Sequence, residues 1–290
     1  MKNISTLVPD MYKLLESGKV HIDAQGLAAA ITARLAEDKG AAELRMSNVG
    51  TPCDRKLWYS INLPNMAEPL PAPARLKFLI GDITEEVVAS IAEQTPGHVV
   101  EGRQDTLELH GIQGHRDCVI DGVTVDIKSA SSFSFQKFEE GLTPDKDAFG
   151  YLDQLNLYRE AGRDDPVVTV KGEAAFLAVD KTLGKLTLDR HRANGTDYVK
   201  LISQKRGMLA EKVPPKRAYM PEPDGKSGNM KLGTACSYCP FKKECWKNSN
   251  GGDGLRTFAY STGPRFLTHV AREPKPELEV TTDEAAEVNT

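Results

Sequence analysis

The sequence predicts an α/β fold with a mixed central sheet flanked by helices. In several segments, apolar residues recur at three- and four-residue steps, which is typical of helices with one buried face. Other segments are short, rich in β-branched residues and bounded by turn residues, which is typical of strands. Along the chain these segments come as helices, strands, a helix, strands and a helix, and this order favours a mixed α/β core.

The composition is that of a soluble globular protein. The 290 residues are enough for one large domain or two small ones, with 40% hydrophobic and 27% charged residues. A net charge of −4 argues against a uniformly basic nucleic-acid surface, although it leaves local basic patches open. No apolar run approaches the ~18 residues of a membrane span, and the N-terminus lacks a signal-peptide pattern, so we expect a cytoplasmic protein without membrane contact. Five cysteines in that compartment are expected to be reduced thiols or metal ligands.

The first 45 residues contain two predicted helices, at 7–17 and 23–38. They carry no pattern that points to chemistry, so we expect a helical N-terminal extension that packs on the core or contacts a partner. A short helix is predicted at 53–62, after turn and cap residues. Four prolines between positions 64 and 73 then indicate a linker.

A long helix is predicted from 74 to 94. One of its faces is expected to be buried because apolar residues recur at helical spacing, at Leu76, Ile80, Ile83, Val87 and Ile91. Gly81 inside the helix costs up to ~1 kcal/mol relative to alanine, which suggests the close approach of another backbone or of a ligand. Glu85 lies one turn further along the same side.

The stretch from 114 to 130 predicts a β-hairpin, preceded by a strand at 99–109. Its two strands, at 116–120 and 123–128, flank an Asp-Gly turn, and this dipeptide tolerates the positive φ angles of a type I′ turn. On the second strand, Asp126 and Lys128 point to one side and their apolar neighbours to the other. If Asp117 on the partner strand faces Asp126, two carboxylates and one ammonium converge. Two acids attract a divalent cation, so the hairpin predicts a hydrolase centre.

The chain then continues with a helix to about 140, a loop at 141–147 and a helix at 149–161. Gln154 and Tyr158 on the latter are four residues apart and so share one face. Two strands, at 167–179 and 185–189, and a helix at 196–211 complete the predicted core.

Three clustered cysteines predict a metal site near the C-terminus. Cys236 and Cys239 form a CxxC pair around a tight turn, and Cys245 follows. Of the two other thiols, Cys118 alternates with Asp117 and should face the core, so Cys53 is the better fourth ligand. Zinc and iron–sulfur clusters both accept four thiolates, and the spacing leaves the two open.

Together these segments resemble the PD-(D/E)XK nuclease superfamily, in particular its RecB-like branch with an iron–sulfur cluster, including AddB-like, CRISPR-adaptation and phage exonucleases. The resemblance covers about 53–245. It rests on five features in the expected order, namely a Gly81/Glu85 helix, Asp117, Asp126-Ile127-Lys128, Gln154 with Tyr158, and Cys53 with Cys236, Cys239 and Cys245. Two departures are Glu85 where the family often has histidine, and the lack of a proline beside Asp117.

The resemblance implies a restriction-endonuclease-like core and a division into three parts. Residues 46–249 would form the nuclease domain, 1–45 a helical extension and 250–290 a C-terminal extension. The four cysteines would hold a 4Fe–4S cluster, or alternatively Zn²⁺, that joins the N- and C-terminal parts. From 273 onward, six acids against one lysine predict a disordered tail, which would shield a basic surface or bind a partner.

The resemblance also implies roles for the site residues. Glu85, Asp117, Asp126 and the Ile127 carbonyl would hold Mg²⁺ or Mn²⁺, since hard cations prefer oxygen ligands. Lys128 would orient water or stabilise the transition state, and Gln154 and Tyr158 would contact DNA beside the metal.

DNA is the expected partner. Residues 196–247 contain 11 Lys and Arg against 5 Asp and Glu, which would bind phosphate in a salt-dependent manner or form a solvated basic face. The aromatic residues near the cysteines are Trp58, Tyr59, Tyr238 and Trp246. They would either pack over the cluster or stack on single-stranded bases.

The expected function is a metal-dependent DNA exonuclease of recombination, repair or phage DNA processing, in the cytoplasm of a bacterium or a phage-infected host. One alternative is a zinc- or iron–sulfur-containing nucleic-acid binding or scaffold module without catalysis. A further alternative is a nuclease that acts only inside a larger assembly, with a recombination or replication protein as its partner.

Overall fold

The computed structural model describes residues 3–36, 42–261, 263–275 and 279–280. The helices of these residues are α1 (Leu7–Glu16), α2 (Ala24–Ala36), α3 (Asp54–Asn62), α4 (Ala72–Gln94), α5 (Ser132–Glu139), α6 (Tyr151–Ala161), α7 (Tyr198–Ala210), α8 (Thr234–Ser237) and α9 (Lys242–Cys245). The strands are β1 (Val100–Glu101), β2 (Thr106–Leu109), β3 (Ile112–His115), β4 (Cys118–Ile120), β5 (Val123–Ala130), β6 (Glu173–Asp180), β7 (Lys185–Arg192), β8 (Glu222–Pro223), β9 (Met230–Lys231), β10 (Arg256–Tyr260) and β11 (Gly263–His269). Within the described ranges, every helix is too short or too polar to cross a membrane.

The described chain forms two compact units. Unit 1 contains the described parts of 1–51 and 77–207, and unit 2 those of 52–76 and 208–290. These boundaries differ from the predicted division at 46 and 249. In unit 1, Leu7 and Met11 of α1 are buried in the same apolar cluster as the strand residues Cys118 and Val125. The first helix therefore packs into a core, which is one of the two expectations for the N-terminal segment.

Unit 1 is built on a five-stranded mixed sheet with the order β1-β4-β5-β6-β7. The β5–β6 pair is parallel and the other pairs are antiparallel. Parallel neighbours need a crossover connection, and the segment between β5 and β6 contains α5 and α6. The predicted α/β fold with a mixed sheet flanked by helices is thus confirmed.

The two faces of this sheet pack against different helices. Val125 and Ile127 of β5 lie in a cluster with α1 and α4, whereas Phe176 of β6 lies in a second cluster with α5 and α6. Since side chains alternate along a strand, Asp126 and Lys128 point to the face opposite that of Val125 and Ile127. Alternation thus directs both residues toward the face that packs against α5 and α6.

The turn before β5 adopts the conformation that its sequence predicts. Asp121 has φ 50° and Gly122 has φ 79°, the positive values that a type I′ turn requires. The predicted strand at 99–109 is divided instead. Gly102 and Gln104 also have positive φ, which interrupts the extended backbone, so β1 ends early and β2 pairs with β3 in a separate hairpin.

The buried face predicted for α4 is wrong over its N-terminal half. Leu76, Ile80 and Ile83 are exposed, as is Phe78. The buried residues of α4 lie further along the helix. Three are small or aliphatic, Val88, Ala89 and Ala92, and the fourth is Glu86, which pairs with Arg103. Helical periodicity locates apolar stripes, but tertiary packing decides how far along the helix a stripe is covered.

Unit 2 combines α3 with the C-terminal segments. Its four-stranded sheet has the order β10-β11-β9-β8, which was not predicted for the C-terminal extension. The described part of the acidic tail contacts this sheet, because Arg256 pairs with both Glu273 and Glu279 and the Val280 N–H donates to the Thr257 carbonyl. Residues 276–278 and 281–290 of the predicted disordered tail lie outside the described residues.

Candidate active site and cysteine pocket

The hairpin brings Asp117 and Asp126 together. Cys118 pairs with Val125 across the antiparallel β4–β5 ladder, and extending this register by one position places Asp117 opposite Asp126. The Ile127 N–H donates a hydrogen bond of 2.6 Å to Asp117 Oδ2. Asp117 therefore lies immediately before β4, tied to the strand that carries the other predicted site residues.

Asp126 and Lys128 form a buried ion pair. Lys128 Nζ is 2.5 Å from Asp126 Oδ2, and the Asp126 side chain is 1% exposed. Asp126 Oδ1 is also buried, and no side chain or backbone group of the described residues makes a hydrogen bond to it. A buried carboxylate oxygen without a partner is costly, so this atom is suited to a cation or a substrate group.

The carboxylates of this site repel one another electrostatically. Burial raises the pKa of Asp117 well above its usual range, and the negative charges of Asp126 and Glu85 raise it further. Glu85 on α4 also accepts a hydrogen bond of 2.9 Å from the Gln104 amide. The three predicted acids are thus electrostatic neighbours, and a dication would offset their mutual repulsion.

Lys128 carries a firmly held proton. Burial by itself would lower its pKa, but the charges of Asp126 and Asp117 outweigh burial, so the pKa is raised. Its ammonium lies 4.9 Å from the centre of the Tyr151 ring, within cation–π range. Lys128 is therefore a cation and a hydrogen-bond donor rather than a base.

Gln154 and Tyr158 are joined on α6, as their spacing predicted. The Gln154 amide donates a 3.0 Å hydrogen bond to Tyr158 Oη. Burial, with the charge of Asp126, raises the pKa of Tyr158, so its phenol stays neutral. Since its oxygen already accepts this hydrogen bond, the hydroxyl proton can be donated to another group.

Tyr151 on the same helix was not predicted as a site residue. Its spacing of three residues from Gln154 and seven from Tyr158 would have placed all three side chains on one helical face.

The surroundings of Gly81 and Arg116 were not predicted from the sequence. A Cβ placed on Gly81 would lie 3.4 Å from Ser129 Oγ, so the glycine faces a side chain of β5 and not a backbone. Arg116, which no pattern singled out, is fully buried and pairs with Asp105 and Asp165 at 2.6 and 2.5 Å. It fixes the backbone immediately before Asp117.

The four predicted cluster cysteines line one pocket of unit 2. Cys53 precedes α3, and the other three come from α8, α9 and the turn between them. Although 183 positions separate Cys53 from Cys236, both belong to one compact unit, which combines segment 52–76 with the described part of 208–290. Cys118 is fully buried in the core of unit 1, as its alternation predicted.

The pocket combines thiols with cations. Burial raises the pKa of Cys236 to about 11, and the neighbouring thiols of Cys239, Cys245 and Cys53 contribute. Burial also raises the pKa of Cys239. Thiolates are the form that binds metal, so a bound cation would have to displace these protons. Positively charged side chains that also line the pocket would favour the loss of the thiol protons. They are Arg55, Lys56, Arg217 and Lys242.

The aromatic residues near the cysteines mostly serve packing. Trp58 and Tyr59 are buried together with Phe241, and Trp246 is buried in a neighbouring cluster. The Trp58 indole N–H donates to the Glu211 carbonyl at 2.9 Å. Tyr238 differs, since it is 86% exposed.

Neither site is pre-arranged around a metal ion. Over 3–36, 42–261, 263–275 and 279–280, no group of three or more His, Cys, Asp or Glu side chains is placed so that it could hold one. At the acidic site the carboxylates turn to protein partners, Gln104, the Ile127 N–H and Lys128. The buried, unpartnered Asp126 Oδ1 nevertheless fits a divalent cation, and four thiols around one pocket fit a thiolate-bound centre.

A larger cavity of unit 1 lies elsewhere. It measures about 580 Å³ and is lined by residues of α6, α7 and the segments that flank β6 and β7, among them Arg159, Arg163 and Lys171. None of the predicted catalytic residues contributes to its wall.

No protein-family model and no curated protein sequence matches this chain. Among solved structures, it is similar to the crystal structure of SSO0001, at 15% sequence identity and a TM-score of 0.41. The match covers 74% of this chain and 91% of that one. A similarity of this size assigns no function.

Proposed function

We propose that this chain is a Mg²⁺- or Mn²⁺-dependent deoxyribonuclease with a restriction-endonuclease-like core. It would act as an exonuclease on single-stranded or resected DNA ends in recombination, repair or phage DNA processing. The observation that carries the proposal is the buried Asp126–Lys128 pair, which lies opposite Asp117 and leaves Asp126 Oδ1 without a partner among the described residues.

Glu85, Asp117, Asp126 and the Ile127 carbonyl would hold the ion, which when bound supplies Lewis acidity toward the scissile phosphate and an attacking water. Lys128 stabilises the charge that develops on the phosphoryl oxygens. Because its pKa is raised, it stays protonated and does not serve as the general base. Gln154 holds Tyr158 so that its hydroxyl can donate to a phosphate oxygen.

In unit 2, Cys53, Cys236, Cys239 and Cys245 would hold a 4Fe–4S cluster, with Zn²⁺ as the alternative. A single zinc ion needs each thiolate about 2.3 Å from the metal. The four thiols line one pocket, which fits either centre. Its role would be structural, because it connects α3 to the C-terminal segments of the same unit.

The test is digestion of end-labelled single- and double-stranded DNA with Mg²⁺ or Mn²⁺. We expect the native chain to release nucleotides from ends and Lys128→Ala to be slower by about 100-fold or more, since removal of one charge-stabilising donor has effects of that size. Lys146→Ala, which removes an exposed lysine, is the matched control and should be fully active. Equal activity of native protein and Lys128→Ala would refute the catalytic assignment.

A second candidate is a nucleic-acid binding or scaffold module without its own catalysis. The observation that favours it is that each of the three acids already contacts a protein group, namely Gln104, the Ile127 N–H or Lys128. In that case the native chain would bind DNA but leave it intact at every Mg²⁺ or Mn²⁺ concentration, alone and with its partners.

A further inference from the structure

Phe149 is an exposed aromatic ring on a rigidly held backbone. Its side chain is 63% exposed. The Asp147 carboxylate accepts hydrogen bonds from four successive backbone N–H groups at 2.8–3.2 Å, those of residues 149–152. Gly150 has φ 79°, and a Cβ there would lie 2.2 Å from the Gly50 carbonyl oxygen, so this close approach requires glycine. The chain thus fixes a large apolar side chain in contact with solvent, which core packing does not explain.

Phe149 forms the outer member of an aromatic stack next to the candidate active site. Its ring lies 5.2 Å from that of Tyr151, with an angle of 28° between the planes. Tyr151 in turn lies beneath the Lys128 ammonium, 4.9 Å from the ring centre. The stack continues inward, because Tyr151 also contacts Phe138, which packs on Phe176. The buried rings support Tyr151 from below, and Phe149 presents its own surface outward.

We propose that Phe149 is the stacking platform for an unpaired nucleobase of the DNA strand whose phosphate lies at Lys128. This rests on the proposed function and specifies its substrate. An exposed ring two residues from the Lys128-contacting Tyr151 can cover the face of a base while the ammonium neutralises the adjoining phosphate. Inside a duplex both faces of a base are covered by its neighbours and its edge is paired, so the platform favours an unpaired base at a single-stranded end. Stacking tolerates every base, since each has a π-face, and so the preference is for strandedness and not for sequence.

The experiment places 2-aminopurine at successive terminal positions of a single-stranded oligonucleotide and follows its fluorescence on binding to the full chain. Stacking on an aromatic ring quenches this fluorescence, so we expect quenching at one position with native protein and none with Phe149→Ala. Phe149→Trp should restore it, and Phe149→Leu, which retains apolar area without a π-face, should not. Val99→Ala, which truncates another exposed apolar side chain of unit 1, is the matched control.

Steady-state kinetics supply the second measurement. Phe149→Ala should raise KM for single-stranded DNA by about 5-fold to 150-fold, the range expected for the loss of one base–aromatic stack. KM for blunt duplex should rise by less, since only the outer face of its terminal base pair is open. The melting temperature should change little because most of the ring is exposed and it contacts Tyr151 on one side. Quenching that persists in Phe149→Ala, or equal effects on both DNA forms, would overturn the platform. Native protein that cleaves no DNA would refute the nuclease proposal instead, and the fluorescence assay would still decide whether a base stacks here.

Discussion

Lys128 Nζ lies 2.5 Å from Asp126 Oδ2, and the two side chains come from the same face of β5. The aspartate is almost completely buried and the lysine is 18% exposed. Taking two such charges out of water carries a desolvation cost that their attraction must offset, so a pair of this kind contributes little to stability. Its presence inside the sheet is better explained by the chemistry it would perform.

Removing one charge of this pair should lower the free energy of unfolding by more than removing both charges. Lys128→Ala leaves Asp126 buried without its counter-ion, and we expect a loss of about 3 kcal/mol or more in the free energy of unfolding. Asp126→Asn combined with Lys128→Ala should recover most of that loss while remaining inactive. Urea unfolding of the two single variants and the double variant measures the coupling, and additive effects would show that the two charges do not interact.

Asp117→Asn should stabilise the metal-free protein at neutral pH and abolish cleavage. Burial and two neighbouring carboxylates raise the pKa of Asp117 in the folded state, so the folded protein binds a proton that the unfolded chain releases above about pH 4. Stability is therefore lost as the pH rises from about 4 through the folded-state pKa. Thermal unfolding of native protein in EDTA should show this decline, and Asp117→Asn should show a weaker one. Identical pH profiles would contradict the assignment.

Mg²⁺ or Mn²⁺ should raise the melting temperature of the native chain. A ligand at 100 times its Kd stabilises the folded state by about 2.7 kcal/mol, provided that the unfolded chain does not bind it. Asp126→Asn should eliminate the shift because it neutralises the buried ligand oxygen. Asp164→Asn, at a fully exposed aspartate, is the control and should retain it. A shift of equal size in both variants would place the ion elsewhere.

Each of the four cysteines of unit 2 should be needed to retain the metal centre, whereas Cys118 should not be needed. We expect anaerobically purified protein to be brown and to contain iron and sulfide, and Cys53→Ala or Cys239→Ala to lose the colour and much of the stability of unit 2. Cys118→Ala should keep the metal, since its thiol is buried in unit 1. Stoichiometric zinc in a colourless protein would favour the zinc alternative, and protein free of both metals would refute the metal centre.

Local chemistry explains which elements could be predicted. The Asp121–Gly122 turn fixed the hairpin because its two residues accept positive φ, and the hairpin then fixed the register that sets Asp117 opposite Asp126. The α4 prediction failed because periodicity cannot show where along a helix the covering elements end. The β10–β11 hairpin was missed because the two residues between its strands, Ser261 and Thr262, are not a dipeptide that signals a tight hairpin turn.

The sequence alone determined the α/β alternation, the two aspartates and lysine of one hairpin, the Gln154–Tyr158 face and the cysteine spacing, all of which follow from periods of two, three or four residues. Tertiary structure decided that α1 belongs to a core, that 52–76 joins the C-terminal segments in unit 2, and that Phe149 and Tyr151 stack beside Lys128. The reason is that side-chain direction within an element is set by local backbone geometry, whereas burial depends on which surfaces meet across the chain.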